Sequence, residues 1–377
     1  MVDDGGFSGA RGGGAPLTRL LLALRVDPPL LLGILAIAAV GMVVLYSSGG
    51  ESTELLVQQA VRFGIGLFVM LVAAQIPPRN LRLWSPWLFV AGLGLLVWVL
   101  VAGEMGGGAK RWIDLGVATV QPSEAMKIAV PMMVAWYLGD RAMPPSFGRV
   151  LVAGALIMTP VALVAYQPDL GTALLIASAG AFGLFLAGLR WRLMLGALVV
   201  GAALIPVGWH LMYDYQRRRV LTFLDPESDP LGAGYHIIQS KIAVGSGGLY
   251  GKGWLNGTQS RLDFLPERST DFIFAVFGEE FGFFGGSLLL FLYLCVVGRA
   301  LYISAEAQDS FGRLLAGSLA LTFFVYVMVN IGMVIGLLPV VGVPLPLVSY
   351  GGTSMVTLLG AFGIIMSIHS HKRLLAP

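Results

Sequence analysis

The sequence has little charge, one cysteine and four histidines, and each scarcity narrows the class of protein. Charged residues make up 12% of the 377 residues and apolar residues 56%, whereas a soluble chain of average composition carries about twice that charged fraction. Cys295 has no second cysteine with which to form an intrachain disulfide or a metal cluster. The net charge of +3 is too small for this length to indicate nucleic-acid binding. These scarcities exclude soluble globular, disordered and disulfide-stapled classes and indicate a polytopic membrane protein.

Apolar stretches recur along the chain at lengths that can cross a bilayer, which takes about 20 residues. They lie at roughly 29–48, 60–77, 84–103, 123–140, 149–166, 169–188, 193–211, 271–298, 314–337 and 349–369. The sequence therefore predicts an all-α fold with about ten transmembrane helices. Residues 1–28 form a Gly-rich lead that is predicted to be a disordered cytoplasmic segment and not a cleavable signal peptide.

Basic residues are unevenly distributed between the two sets of loops. One set of short loops and tails carries most of them, whereas the opposite short loops hold Lys110, Arg111 and Arg62. Because short cytoplasmic loops are enriched in Lys and Arg, both termini are predicted to be cytoplasmic. The segment 212–270 is the one large loop and is predicted to lie outside, since long loops cross regardless of charge. Polar residues gather there, so the chemistry is expected on the outer face.

Glu124 and Lys127 are ionisable residues in an otherwise apolar span. Pro122 indicates that a helix begins here, and the i, i+3 spacing places the two charges on one face. Ionisable groups in a membrane are costly and usually functional, although a structural ion pair at a helix mouth is the alternative. In the preceding loop, Lys110 and Arg111 are candidates either for anion binding or for interfacial anchors.

Two aspartates stand at the beginnings of predicted spans. Asp169 lies between two spans with almost no loop, and we interpret it as a cap of the following helix. Asp271 lies at the outer mouth of a span beside the cationic loop. A simple cap is one interpretation of Asp271, and a general base is the other, since an acid in this setting suits proton abstraction.

Two further stretches are rich in glycine or proline. Residues 245–253 resemble a phosphate loop only superficially: Ser246 stands where a Walker A motif needs glycine, Gly253 stands where it needs Ser or Thr, and no strand precedes them. We therefore reject nucleotide binding. The stretch 339–354 indicates a shaped, uncharged outer loop that suits contact either with a substrate backbone or with a neighbouring helix.

Five motifs in this order resemble the bacterial SEDS family (shape, elongation, division and sporulation). They are GAKRWI at 108–113, QPSE at 121–124, QPDLGT at 167–172, LPERSTDF at 265–272 and SYGGTS at 349–354. The loop DPESDPLGAGY at 225–235 is most similar to the rod-shape branch. The resemblance covers nearly all of the chain beyond residue 28, so 29–377 is predicted to be one SEDS-type transmembrane domain. Ser269 departs from the family pattern, where relatives usually carry His.

The resemblance implies a peptidoglycan glycosyltransferase of cell elongation that polymerises lipid II at the outer face of the bacterial inner membrane. It also implies a class B penicillin-binding protein as partner, alongside the elongation machinery. The acid of the Thr-Asp-Phe motif is essential in the family, which assigns the catalytic role to Asp271. The expected substrate-binding residues are Lys110, Arg111, Gln121, Glu124, Lys127, Arg217, Arg218, Lys241, Ser349 and Thr353.

The predicted reaction inverts an anomeric carbon. The 4-hydroxyl of one lipid-linked sugar attacks another chain's diphosphate-linked carbon, which needs a base and positive charge for the leaving diphosphate. A divalent cation such as Mg²⁺ or Mn²⁺ is a further candidate for that charge. Two alternatives stay open: a lipid II flippase whose route is lined by Glu124, Lys127, Glu279 and Glu280, and a non-catalytic scaffold that activates the penicillin-binding partner.

Overall fold

The computed structural model describes residues 24–106, 109–114, 119–212, 214–228, 233–261, 265 and 267–371. The predicted disorder of the N-terminal segment therefore falls almost entirely outside the described residues. The helices are α1 Pro28–Ser48, α2 Thr53–Gln75, α3 Pro78–Ala102, α4 Pro122–Gly139, α5 Phe147–Tyr166, α6 Leu170–Leu186, α7 Trp191–Leu211, α8 Asp214–Leu224, α9 Ala233–Ser246, α10 Thr258–Arg261, α11 Ile273–Ala305, α12 Ser310–Val334 and α13 Thr353–Ser370. The strands are β1 Glu104–Gly106, β2 Ala109–Asp114 and β3 Thr119–Val120.

All ten predicted spans are helical, which confirms an all-α, multi-pass membrane protein. Within the described ranges, seven helices are long and apolar enough to cross a membrane: α1, α2, α3, α5, α11, α12 and α13. The other three predicted spans are α4, α6 and α7. Several helices begin earlier than predicted because their first turns are polar. In α2, for example, the Ser52 side chain accepts a hydrogen bond from Leu55 N at 3.4 Å, so the helix begins at Thr53 rather than near residue 60.

The core of the bundle is built around α12, the most enclosed of the candidate spans. Of its apolar window, 78% is buried inside the protein, against 17% for the peripheral α2. Small residues allow close approach elsewhere: a Cβ on Gly363 of α13 would lie 2.3 Å from the Met70 carbonyl oxygen of α2. Such small-residue contacts let membrane helices pack backbone to backbone, which fastens α2 to α13.

The longest helix, α11, is broken near its first third at Gly282. This residue has φ 64° and ψ −161°, so the helix consists of a short piece, 273–281, and a long piece, 283–305. The glycine-rich residues 247–253, which we name the strap, lie against the break. A Cβ on Gly282 would stand 2.3 Å from Gly251 N, so only glycine allows this contact.

The strap supplies the backbone hydrogen bonds that the break removes from the helix. Lys252 N and Gly253 N donate to the Glu279 and Glu280 carbonyls, both at 3.0 Å, while Phe283 N donates to the Gly248 carbonyl at 2.9 Å. Buried backbone N–H and C=O groups are costly to leave unpaired, so these hydrogen bonds stabilise the broken helix. The glycine-rich stretch therefore has a structural role that its sequence did not reveal.

A small antiparallel sheet, absent from the sequence-based expectation, joins α3 to α4. Its strand order is β1-β2-β3, with Ile113 paired to Val120 and Asp114 to Thr119. Strands this short carry too little alternation to be recognised from sequence. The sheet places Arg111 and Trp112 over the mouths of α4 and α6, where the site described below is found.

Candidate active site

A polar cavity of about 310 Å³ lies at the end of the bundle where α4, α6 and α13 begin. The chain segment that follows α12 and the helix α8 complete its wall. The lining residues are Arg111, Trp112, Gln121, Glu124, Lys127, Pro168, Asp169, Leu170, Thr172, Leu175, Arg219, Tyr326, Val341, Gly342, Val343, Pro344, Gly351, Gly352, Thr353 and Ser354. Five residues predicted to bind substrate are among them: Arg111, Gln121, Glu124, Lys127 and Thr353.

Glu124 and Lys127 form a buried ion pair in the cavity wall. Lys127 Nζ lies 2.6 Å from Glu124 Oε1, and it also donates to the hydroxyl of Tyr326 in α12. Both charged residues are less than a tenth exposed. Glu124 Oε2 is buried without a hydrogen-bond partner among the described residues. A buried acceptor is costly to leave unpaired, so this oxygen is suited to accept from a ligand in the cavity.

Asp169 caps α6, as predicted, and it also connects residues from three segments of the cavity wall. Its side chain accepts a hydrogen bond from Thr172 N at 3.1 Å and another from Gln121 Nε2 at 3.1 Å. Arg111 Nη1 lies 3.9 Å from Asp169 Oδ2. The Arg111 guanidinium also donates to the Gln167 carbonyl at 3.1 Å and to the Pro168 carbonyl. Arg111 is therefore held firmly in place at the cavity.

Asp271 lies beside the cavity, two residues before α11 begins. Its Oδ2 is 3.5 Å from the point that a Cβ on Gly342, a residue of the cavity wall, would occupy. The cap interpretation of this residue is wrong: α11 follows Phe272, and among the described residues no side chain makes a capping hydrogen bond to its first turn. Thr270 donates to the Glu267 carboxylate at 2.7 Å. The Asp271 carboxyl therefore does not serve as a cap and lies next to the Gly342 part of the cavity wall.

Two buried polar side chains fix the backbone around Asp271. Asn330 Nδ2, in α12, donates to the Asp271 carbonyl at 2.8 Å and to the Val343 carbonyl at 2.7 Å. Ser349 Oγ donates to the Thr270 carbonyl at 2.6 Å and accepts from Leu345 N at 2.8 Å. The stretch 339–354 therefore contacts a neighbouring helix, as one of the two alternatives predicted, and also lines the cavity. Its contact with a substrate stays a prediction.

The environment of Asp271 makes its carboxyl a weaker acid than an ordinary aspartic acid. Burial raises the pKa of Asp271 from 3.8 to about 6, the nearby Glu267 carboxylate raises it as well, and the Arg219 guanidinium lowers it. A base is most effective when its pKa lies near the operating pH. Asp271 is still mostly ionised at neutral pH and binds a proton more readily than an unperturbed aspartate.

Several predicted substrate-binding residues lie away from the cavity lining. Arg217 donates to the Trp209 and His210 carbonyls at the end of α7, at 2.9 and 2.8 Å. Arg218 is exposed, and Lys241 is exposed with its Nζ 2.7 Å from the point that a Cβ on Gly336 would occupy. The side chain of Lys110 lies outside the described residues. Their roles, like that of Ser349 toward substrate, stay predictions.

Sequence reasoning missed four residues that shape the site: Arg219, Tyr326, Asn330 and Gly342. Arg219 follows two residues of the same type, Arg217 and Arg218, so the sequence alone does not single it out. Tyr326 and Asn330 lie within an apolar span, where a polar side chain at membrane depth is itself a sign of a special role. Gly342 gave no signal beyond the density of glycine and proline around it.

The cavity carries carboxylates but no ready-made metal site. Among the described residues, no three His, Cys, Asp or Glu side chains converge as metal ligands. Glu124 already has Lys127 at 2.6 Å and Asp169 has Arg111 at 3.9 Å, so each carboxylate has a cation beside it. The residues alone do not fit a divalent ion, and the predicted cation stays a prediction.

The fold and this cavity define a class: a multi-pass α-helical membrane protein with a charged site at one end of the bundle. The chain belongs to the FtsW/RodA/SpoVE family of cell cycle proteins, whose profile matches residues 19–374. It is 54% identical over 354 residues to peptidoglycan glycosyltransferase MrdB of Escherichia coli (strain K12), covering 94% of this chain and 96% of that protein. It is 32% identical to peptidoglycan glycosyltransferase RodA of Treponema pallidum, covering 92% and 98%.

Solved structures show the same architecture. A chain from a structure described as "structural coordination of polymerization and crosslinking by a peptidoglycan synthase complex" matches with a TM-score of 0.81 at 32% identity, covering 92% of this chain and 99% of that chain. The Rod shape determining protein RodA of Thermus thermophilus matches with a TM-score of 0.69 at 30% identity, covering 91% and 96%. The predicted family is therefore confirmed, and its relatives are named as enzymes.

Proposed function

We propose that this chain, a peptidoglycan glycosyltransferase, polymerises lipid II during cell elongation with Asp271 as its general base. The observation that carries the proposal is the carboxyl of Asp271 beside a polar cavity whose wall includes Arg111, Lys127 and Arg219. The base takes the proton of the sugar 4-hydroxyl as that oxygen attacks the anomeric carbon. The carbon–oxygen bond to the diphosphate breaks in the same displacement, which inverts the carbon.

The cations of the cavity suit the leaving diphosphate. Arg111 and Arg219 provide guanidinium groups, which match phosphate oxygens in a bidentate way, and Arg111 is already oriented by two backbone carbonyls. Positive groups fixed before the reaction stabilise developing negative charge without reorganisation. Glu124 orients Lys127 and offers Oε2 as an acceptor to the substrate. A divalent cation, if it takes part, would arrive with the diphosphate.

A transport function is less well supported by the buried acids. Glu279 accepts from Lys252 Nζ at 2.6 Å and from Thr258 N at 2.9 Å, and Glu280 accepts from Ser47 Oγ. Glu124 and Lys127 pair with each other. These groups make separate local contacts, whereas a flippase needs a spatially continuous path of polar groups across the bilayer. A scaffold role beside catalysis is compatible with the cavity.

The sequence and the relatives support a location and a partner for this proposed function. The distribution of basic residues favours cytoplasmic termini and a periplasmic cavity in the bacterial inner membrane. A class B penicillin-binding protein is the expected partner, because a structural relative belongs to a peptidoglycan synthase complex that coordinates polymerization and crosslinking. Elongation machinery would then gather both activities at one place.

The test is polymerisation of purified lipid II by the detergent-solubilised chain, with and without a class B penicillin-binding partner. Detergent removes the bilayer, so a flippase has nothing to cross and yields no product. We expect glycan strands that a muramidase degrades. An Arg111→Met/Arg219→Met variant should insert normally yet lose about 10²-fold or more in rate. The flippase would be favoured if the chain mixed with an active penicillin-binding partner made no glycan, and if the chain transported lipid II across the membrane of vesicles.

A further inference from the structure

The short helical piece 273–281 is separated from the rest of α11 by the break at Gly282 and carries Asp271 just before its first residue. It is about 13 Å long at 1.5 Å per residue. At its beginning, Asn330 and Ser349 hold the backbone of Asp271 and Thr270. Because the break removes the continuous helix as a support, the far end depends on the strap, whose Lys252 N and Gly253 N donate to the Glu279 and Glu280 carbonyls.

The side chain of Glu279 is a second anchor at this far end, beside those backbone hydrogen bonds. Its carboxylate is fully buried and accepts from Lys252 Nζ at 2.6 Å, from Thr258 N at 2.9 Å and from Gln259 N at 3.1 Å. Lys252 belongs to the strap, and Thr258 and Gln259 begin α10. One side chain of the short piece therefore joins it to the large loop at several points.

A purely structural role does not require charge at this place. Replacing a buried ion pair by apolar residues is often neutral or stabilising for the fold, whereas removing one partner is harmful. Lys252 and Glu279 add something that an apolar contact lacks, namely fixed directions of approach to one carboxylate. A rigid piece of this length passes a displacement at one end to the other end, and a misplacement of about 1 Å at a reacting group costs up to 10²-fold in rate.

We propose that Glu279 and Lys252 are positioning residues for Asp271, which set the orientation of the piece 273–281 and hence the place of the acid beside the cavity. The inference rests on the proposed role of Asp271 as general base. Neither residue is among those that line the cavity, so each would act through the short helix.

The experiment compares purified Lys252→Met, Lys252→Arg and Asp271→Asn with wild type in steady-state polymerisation of lipid II, together with thermal unfolding. Rates are expressed per folded, monodisperse molecule. We expect Lys252→Met to lower kcat about tenfold or more with KM changed less than about twofold, because substrate contacts are intact. Lys252→Arg should recover most of kcat, since it keeps a cationic donor. Glu306→Gln, at the other end of the same helix, is the matched control and should behave as wild type.

The outcomes separate this inference from the proposed function. If Lys252→Met unfolds at a lower temperature but keeps the wild-type kcat per folded molecule, the pair is structural only and the inference is wrong. A Lys252→Arg variant as slow as Lys252→Met overturns it as well. If Asp271→Asn is inactive while Lys252→Met is normal, the positioning inference alone fails. If Asp271→Asn is active, the role of Asp271 as base fails.

Discussion

If Asp271 is the general base, as proposed, the acid limb of the pH–rate profile should report the ionisation of its carboxyl. Because burial and Glu267 raise the pKa of Asp271 to about 6, lowering the pH protonates this base earlier than it would an ordinary aspartate with a pKa near 3.8. At pH 5 only about one-tenth of Asp271 would be ionised, whereas an unperturbed aspartate would be more than about nine-tenths ionised. The rate of polymerisation should therefore fall about tenfold between neutral pH and pH 5.

The assay is kcat/KM for lipid II polymerisation across about pH 4.5 to 8, in buffers of constant ionic strength. Two variants move the limb in opposite directions. Glu267→Gln removes a charge that raises the pKa of Asp271 and should shift the limb to lower pH. Arg219→Gln removes a charge that lowers this pKa and should shift the limb to higher pH, whatever it does to the plateau. A wild-type limb near pH 4, or two shifts in the same direction, would refute the reasoning.

Three further predictions follow from the described contacts. Lys127→Met leaves Glu124 buried without its cation and should destabilise the protein by about 3–5 kcal/mol, measured by thermal unfolding; an unchanged melting temperature would contradict the buried pair. Asn330→Ala removes the donor shared by two carbonyls and should lower the free energy of unfolding by about 1–3 kcal/mol. It should also lower kcat more than it changes KM, and unchanged kinetics would contradict this role. Cysteine labelling from outside intact cells should modify Ser228→Cys and spare Ser310→Cys; the reverse pattern would overturn the orientation.

The transmembrane helices could be predicted because length and hydropathy alone decide whether a segment crosses a bilayer. Their ends could not, because a cap such as Ser52 or a polar first turn lies outside the apolar window. The Glu124–Lys127 pair followed from i, i+3 spacing, and Asp169 as a cap followed from its place before a span. These are local relations, which a sequence states directly.

Contacts between segments that are distant in sequence could not be predicted. The break at Gly282 depends on the strap, which lies about thirty residues earlier, and no periodic pattern connects the two. Arg219 lines the cavity, whereas Arg217, two residues earlier in α8, points toward the end of α7 and donates to the Trp209 carbonyl. The role of Asn330 depends on the packing of α12 against the residues before α11, which brings its side chain to the Asp271 carbonyl. When side chains have the same chemistry, only the packing of the fold decides which of them reaches the site.

The measurement that tests the central claim most directly is lipid II polymerisation by Asp271→Asn beside the control Asp309→Asn. Asp309 caps α12, accepting from Gly312 N at 3.2 Å, and Asn caps helices about as well as Asp, so the control removes a carboxylate without removing a base. We predict a loss of about 10²-fold or more in rate for Asp271→Asn, with normal insertion and stability, and a wild-type rate for Asp309→Asn. Glycan production by Asp271→Asn at the wild-type rate would contradict the account.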